Sequence, residues 1–160
     1  MSILNLTASQ HPFLNGLSEA HLGILGKAGT PMRFAAGDRL FREGEAANRL
    51  YLINTGTVTL QTHSAGHPVQ ISTIGPGQVM GWSWLFPPFF WHFDALANEA
   101  IDAIVFDAAH LRKDCEEDKA LGYELMKRLA EIVVDRLQAT RLKLVQSVKH
   151  DLAAALPKGG

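Results

Sequence analysis

The chain is 160 residues long, enough for one domain that buries roughly 70 % of the surface its unfolded form would expose. Hydrophobic residues make up 47 % and charged residues 19 %, an ordinary globular composition. Fifteen basic against sixteen acidic side chains leave a net charge of -1, so no overall field draws the chain to nucleic acid or anionic lipid.

Residues 1–13 lack a basic segment followed by an apolar one, so no secretion signal is evident. The most apolar stretch, residues 79–97, is interrupted by Ser83, Pro87, Pro88, His92 and Asp94 and cannot serve as a membrane span. The expectation is a soluble, cytoplasmic protein. The single cysteine, Cys115, lies among Asp114, Glu116, Glu117 and Asp118, whose charges discourage a reactive thiolate.

The first thirty residues read as a helical lead-in, with Leu14, Leu17, Leu22 and Leu25 near helical spacing and a capped start at residues 18–21. The texture changes at Gly29, Thr30 and Pro31. Between residues 32 and 106 short apolar or alternating runs (38–41, 49–54, 57–62, 69–74, 95–97 and 103–106) are separated by Gly37, Gly44, Gly56, Gly66, Gly75, Pro76 and Gly77. Such spacing predicts an all-β sandwich or barrel.

From about residue 108 glycine and proline almost vanish, and a long helical pattern runs to about residue 150, split near Gly122. Met126, Leu129, Val133, Leu137, Thr140, Leu144 and Ser147 form a narrow seam suited to pairing with a second copy. Covering the chain's own barrel is the alternative use of that stripe. The predicted organisation is one domain over residues 1–150, with the roll at about 32–106, the helix at about 108–150 and a tail at 151–160.

The succession Gly37-Asp38, Phe41-Arg42-Glu43-Gly44-Glu45, Leu50-Tyr51-Leu52-Ile53 with Gly56 and Val58, Ile74-Gly75-Pro76-Gly77-Gln78 and Gly81 resembles the cyclic-nucleotide-binding domain family, that of catabolite activator protein-like regulators. The similarity runs from about residue 11 to about residue 148. It implies a mainly β jelly roll, or double-stranded β-helix, with N-terminal helices, a short internal helix that cradles phosphate, and a long C-terminal helix that lids the pocket and dimerises. Residues 136–141 are similar to the part of that helix that touches the purine, with Thr140 at a matching threonine position and Arg141 where serine is usual. The family's helix usually leads into a DNA-reading domain. Here a stand-alone homodimeric sensor that signals to a protein partner is expected, with no direct nucleic-acid binding.

The phosphate cassette departs from the family pattern. It should begin Gly-Glu and deliver an arginine; here Gly81 is followed by Trp82, and the arginine position falls on Trp91 or His92. No lysine or arginine occurs between Arg49 and Arg112, from which the roll strands are expected to supply no permanent positive charge. A charge-assisted hydrogen bond is worth about 1.5–3 kcal/mol, so losing that arginine weakens phosphate binding roughly ten- to a hundred-fold or more. Compensation is available from backbone N–H groups near residues 81–85, from Ser83 and Arg141, and from His92 when protonated. The expected ligand-binding set is therefore Gly81, Trp82, Ser83, Trp84, Trp91, His92, Thr140 and Arg141, for a cyclic nucleotide or another small anion, with no cofactor assigned.

Seven of the thirteen aromatic residues lie between Trp82 and Phe93. They suit a stacking pocket, a plug filling the place of a lost ligand, or an exposed partner surface. Enzyme signatures are lacking. His63 and His67 have no accompanying His-X-His and Glu, no serine elbow or phosphate loop is present, and Asp94 near His92 forms at most an isolated pair.

Overall fold

The Ser18 hydroxyl accepts a hydrogen bond from the His21 backbone N–H at 3.1 Å, and helix α1 (Glu19–Gly26) starts there, at the capped position read from the sequence. The computed structural model describes residues 5–6, 11–81, 84 and 87–155. The chain divides into two units, Met1–Glu124 and Leu125–Gly160.

In the first unit eight strands follow α1: β1 (Gly29–Phe34), β2 (Arg39–Phe41), β3 (Arg49–Thr55), β4 (Val58–Ser64), β5 (His67–Ile74), β6 (Val79–Met80), β7 (Asp94–Ala97) and β8 (Ile101–Asp107). They form two antiparallel four-stranded sheets, ordered β1-β8-β3-β6 and β2-β7-β4-β5. This is the expected roll. Two strands escaped the sequence reading. β1 carries Pro31, which an edge strand tolerates because one of its N–H rows has no partner strand, and β6 is two residues long.

The hydrophobic pattern differs between the sheets for a physical reason. Leu50, Tyr51, Leu52 and Ile53 of β3 are each no more than 1 % exposed. β3 lies inside its sheet, next to β8, and α2 (Ala108–Glu117) packs on β8 while α1 packs on β1. With both faces covered, the strand reads as a continuous apolar run. β4 alternates instead, burying Val58 and Leu60 while Thr59 and Gln61 are half-exposed, the mark of a sheet with one wet face. His11 pins the lead-in to this core: its Nε2 lies 3.1 Å from the Ile53 carbonyl and 3.2 Å from that of Gln78, and its Nδ1 accepts the Phe13 N–H at 3.2 Å.

The last helix, α3, spans Lys119–Ala155. The break from α2 falls at Asp118, earlier than the expected Gly122. Asp118 leaves helical geometry at φ -123°, ψ 95°, and its carboxylate accepts the Leu121 N–H at 3.1 Å, capping the new helix. Gly122 serves closeness instead: a Cβ there would stand 2.9 Å from the Cys115 carbonyl oxygen. In the second unit Leu125 and Leu129 are buried, and every side chain from residue 137 to residue 155 is exposed. With α3 alone contributing 37 residues, helix outweighs strand, so "mainly β" describes the roll and not the whole chain.

Candidate functional site

Gly81 ends the short run after β6 with φ +99°. A side chain there has no room: a Cβ would lie 2.8 Å from the Arg49 carbonyl oxygen and 2.8 Å from Cη2 of Trp91. The glycine therefore serves both a left-handed backbone and a ring packed against it. Trp84 is fully buried and its indole N–H donates to the Gly81 carbonyl at 2.7 Å. Arg112 of α2 donates to the Trp84 carbonyl at 2.6 Å and holds its guanidinium 5.1 Å from the Phe89 ring centroid. Trp82 and Ser83, with much of the expected short internal helix, lie outside the described residues.

The far end of the segment is tied to the β2–β3 connection by backbone bonds. Gly44 donates to Trp91 O at 2.8 Å, Trp91 to Glu45 O at 2.9 Å, and Ala47 to Phe89 O at 2.6 Å. This pairing turns the Trp91 indole inward, where it stacks on Phe41 with centroids 3.8 Å apart and planes 11° apart. Phe41 and Trp91 also meet Tyr51 at a tilt, with centroids 5.9 and 6.4 Å away. Burial pushes the Tyr51 phenol up from its ordinary pKa, the nearby Arg49 charge pulling the other way. Trp91 is 3 % exposed, whereas His92 is exposed.

Asp94 does not pair with His92. It is buried, one carboxylate oxygen accepting the Glu43 N–H at 2.8 Å and the other lying 3.5 Å from Arg39 and 3.6 Å from His63. β7 pairs with both β2 and β4, which brings residues 39 and 63 to the same carboxylate.

The expectation that the roll strands supply no permanent positive charge is corrected here. Arg39 of β2, Arg49 of β3 and Arg42 between them line a cleft of about 360 Å³, together with Glu45, Tyr51 and Trp91. The gap in basic residues from 50 to 111 is real, but β2 and the β2–β3 connection fold against residues 89–91 and carry their arginines with them. Linear distance hid that neighbourhood. Phe41 beside Arg42 was the one available signal, since neighbours at a strand end face opposite sides and here place the ring inward and the charge outward.

Thr140 and Arg141 are exposed on α3, in the second unit. The Cys115 thiol is pushed up to about 11 by burial, with Asp114, Asp118 and Glu116 adding to the rise, in line with the unreactive thiol expected from the sequence. Among the described residues no group of three His, Cys, Asp or Glu side chains is arranged to hold a metal, and no helix is long and apolar enough to cross a membrane.

Residues 31–118 match the family model for the cyclic nucleotide-binding domain. The chain belongs to that family. It is 25 % identical over 144 residues to a CRP-like cAMP-activated global transcriptional regulator of Mycobacterium tuberculosis, covering 89 % of this chain and 62 % of that protein. The chain thus spans under two thirds of that relative's length. A solved structure from Geobacter metallireducens GS-15, assigned to a cyclic nucleotide-binding protein, superposes with a TM-score of 0.71 at 28 % identity, over 79 % of this chain and 92 % of that one. A cyclic nucleotide-binding domain from Methylobacillus flagellatus KT shares the fold with a TM-score of 0.74 at 18 % identity, over 89 % of this chain and 76 % of the other. This cyclic nucleotide-binding domain keeps the family's antiparallel β-roll.

Proposed function

We propose that the chain is a non-catalytic sensor domain that takes a small ligand into its roll and passes the bound state through α3 to a protein partner. The carrying observation is the contrast at the cassette. Gly81 turns the backbone at φ +99° where the family's cassette is expected to begin, while the arginine position falls on a ring buried against Phe41 or on His92. A cassette position without its arginine anchor favours a ligand other than cyclic AMP or cyclic GMP. Calorimetric titration with both nucleotides tests this; affinity in the low micromolar range for either overturns it.

The same rings favour a second reading, a ligand-free interaction module whose pocket is filled by its own aromatics. Trp84 and Trp91 are 0 % and 3 % exposed. A panel of nucleotides and small anions that leaves tryptophan emission and Tm unmoved favours this reading over the sensor.

Homodimerisation through α3 is part of the proposal. Leu137, Leu144, Val148 and Leu152 are 64, 63, 49 and 62 % exposed, an apolar row at steps of seven, four and four that water opposes. A Leu137→Glu chain that still sediments as a dimer removes this seam from the model of assembly.

A further inference from the structure

We propose that the arginine cleft between β2 and β3 binds a small polyvalent oxyanion, a phosphate or carboxylate compound. Arg39, Arg42 and Arg49 converge on one cleft of about 360 Å³ against a single lining carboxylate, Glu45. That leaves two positive charges in excess, one of which Arg39 shares with the buried Asp94 at 3.5 Å. A guanidinium offers a planar fork of donors that matches phosphate and carboxylate oxygens two at a time.

The partner Arg42 already has is exchangeable. Arg42 reaches Glu45 only at 3.9 Å, with both side chains more than half exposed, and such a solvent-screened pair holds weakly. The cleft floor does not yield so readily. Its Tyr51 and Trp91 belong to the stacked ring cluster, and its rim at residues 44–47 is fastened to residues 89–91 by three backbone hydrogen bonds. An exposed Arg42 beside a fixed floor lets a ligand displace water and a weak ion pair without reshaping the fold. The next sixty residues after Arg49 contain neither lysine nor arginine, so three of the four arginines between the start of β1 and the end of β8 line this one cleft.

Apart from Trp91, no lining side chain belongs to the expected ligand set of the sensor reading, so this site and that reading fail separately. The test is calorimetry on the full chain with inorganic pyrophosphate and with citrate, at constant ionic strength. The expected result is one saturable site for at least one probe, weakened about tenfold or more in an Arg42→Ala/Arg49→Ala chain, whose thermal unfolding without ligand matches the parent. Response to pyrophosphate alone assigns the phosphate class, and to citrate alone the carboxylate class. If the double variant does not fold, Arg42→Ala substitutes for it, because that side chain is 66 % exposed. Three results overturn the site: no saturable heat with either probe, unchanged affinity in the alanine variants, or undiminished affinity in an Arg42→Lys/Arg49→Lys chain, which would mark diffuse charge attraction. Binding lost in Trp82→Ala but kept in the double alanine variant also overturns it, and leaves the sensor reading standing.

Discussion

The indole of Trp91 stacks on the ring of Phe41 at 3.8 Å, near parallel, at the point where the cassette segment meets β2. Both rings are more than nine-tenths buried, so the pair joins two segments fifty residues apart through one apolar contact. Trp91→Ala is expected to lower the unfolding free energy by about 3–5 kcal/mol, the range for truncating a buried large aromatic. Trp91→Phe should recover more than half of that. Urea denaturation measures both, and a loss below about 1 kcal/mol for alanine would mean the ring is not a core element.

Gly81 stands beneath that ring. Gly81→Ala must place a Cβ 2.8 Å from the Arg49 carbonyl oxygen and from Trp91 while holding φ +99°. The left-handed backbone alone costs roughly 1–2 kcal/mol, and the contact adds to it. A Trp91→Phe/Gly81→Ala chain should show the two changes to be coupled, because the smaller ring removes the nearest side-chain atoms. A strictly additive double-mutant cycle would contradict the packing described.

His11 makes stability depend on mild acid. Its Nδ1 accepts the Phe13 N–H, so the neutral ring carries its proton on Nε2 and donates toward the Ile53 carbonyl. Burial lowers its pKa from 6.5, the carbonyls of Gln78 and Ile53 opposing that shift. A base with a lowered folded-state pKa is protonated more readily in the unfolded chain. Its contribution is therefore present above 6.5 and is lost as pH falls through the lowered value. Denaturation midpoints at about pH 7.5 and about pH 5.5 should differ less in His11→Gln than in the parent; equal slopes would remove His11 from the acid response.

Asp114 acts in the opposite sense. Burial raises its pKa from 3.8, with the His110 charge lowering it and the Glu117 charge raising it, and its Oδ2 has no hydrogen-bond partner among the described residues. A carboxyl with a raised folded-state pKa favours folding below 3.8 and loses that contribution as pH rises through its folded value. At neutral pH the charged form opposes folding. Asp114→Asn should thus raise the unfolding free energy at pH 7, by up to about 1 kcal/mol, measured by urea melts, and the gain should vanish at pH 3. A destabilised variant would show that His110, 3.6 Å away, outweighs desolvation.

Local rules account for what could be read ahead of the fold. Period-two alternation in β4, the continuous apolar run of β3 and the punctuating glycines specify strands and turns within a few residues, since backbone sterics and side-chain facing are properties of neighbours along the chain. Ser18 marked its helix start for the same reason. The boundary near Gly122 was misplaced because an Asp118 cap and a glycine needed for close packing look alike in sequence, and β6 was too short to leave a period.

By itself, then, the sequence determined the roll, the long terminal helix and the family resemblance. Only the tertiary structure decided which distant groups meet. It brought Arg39 and His63 to Asp94, turned Trp91 onto Phe41, and set three arginines from β2, β3 and their connection around one cleft. The reason is strand pairing: hydrogen bonds between β2, β7 and β4, and between residues 44–47 and 89–91, join segments dozens of residues apart, and no local pattern records which distant carbonyl an N–H will find.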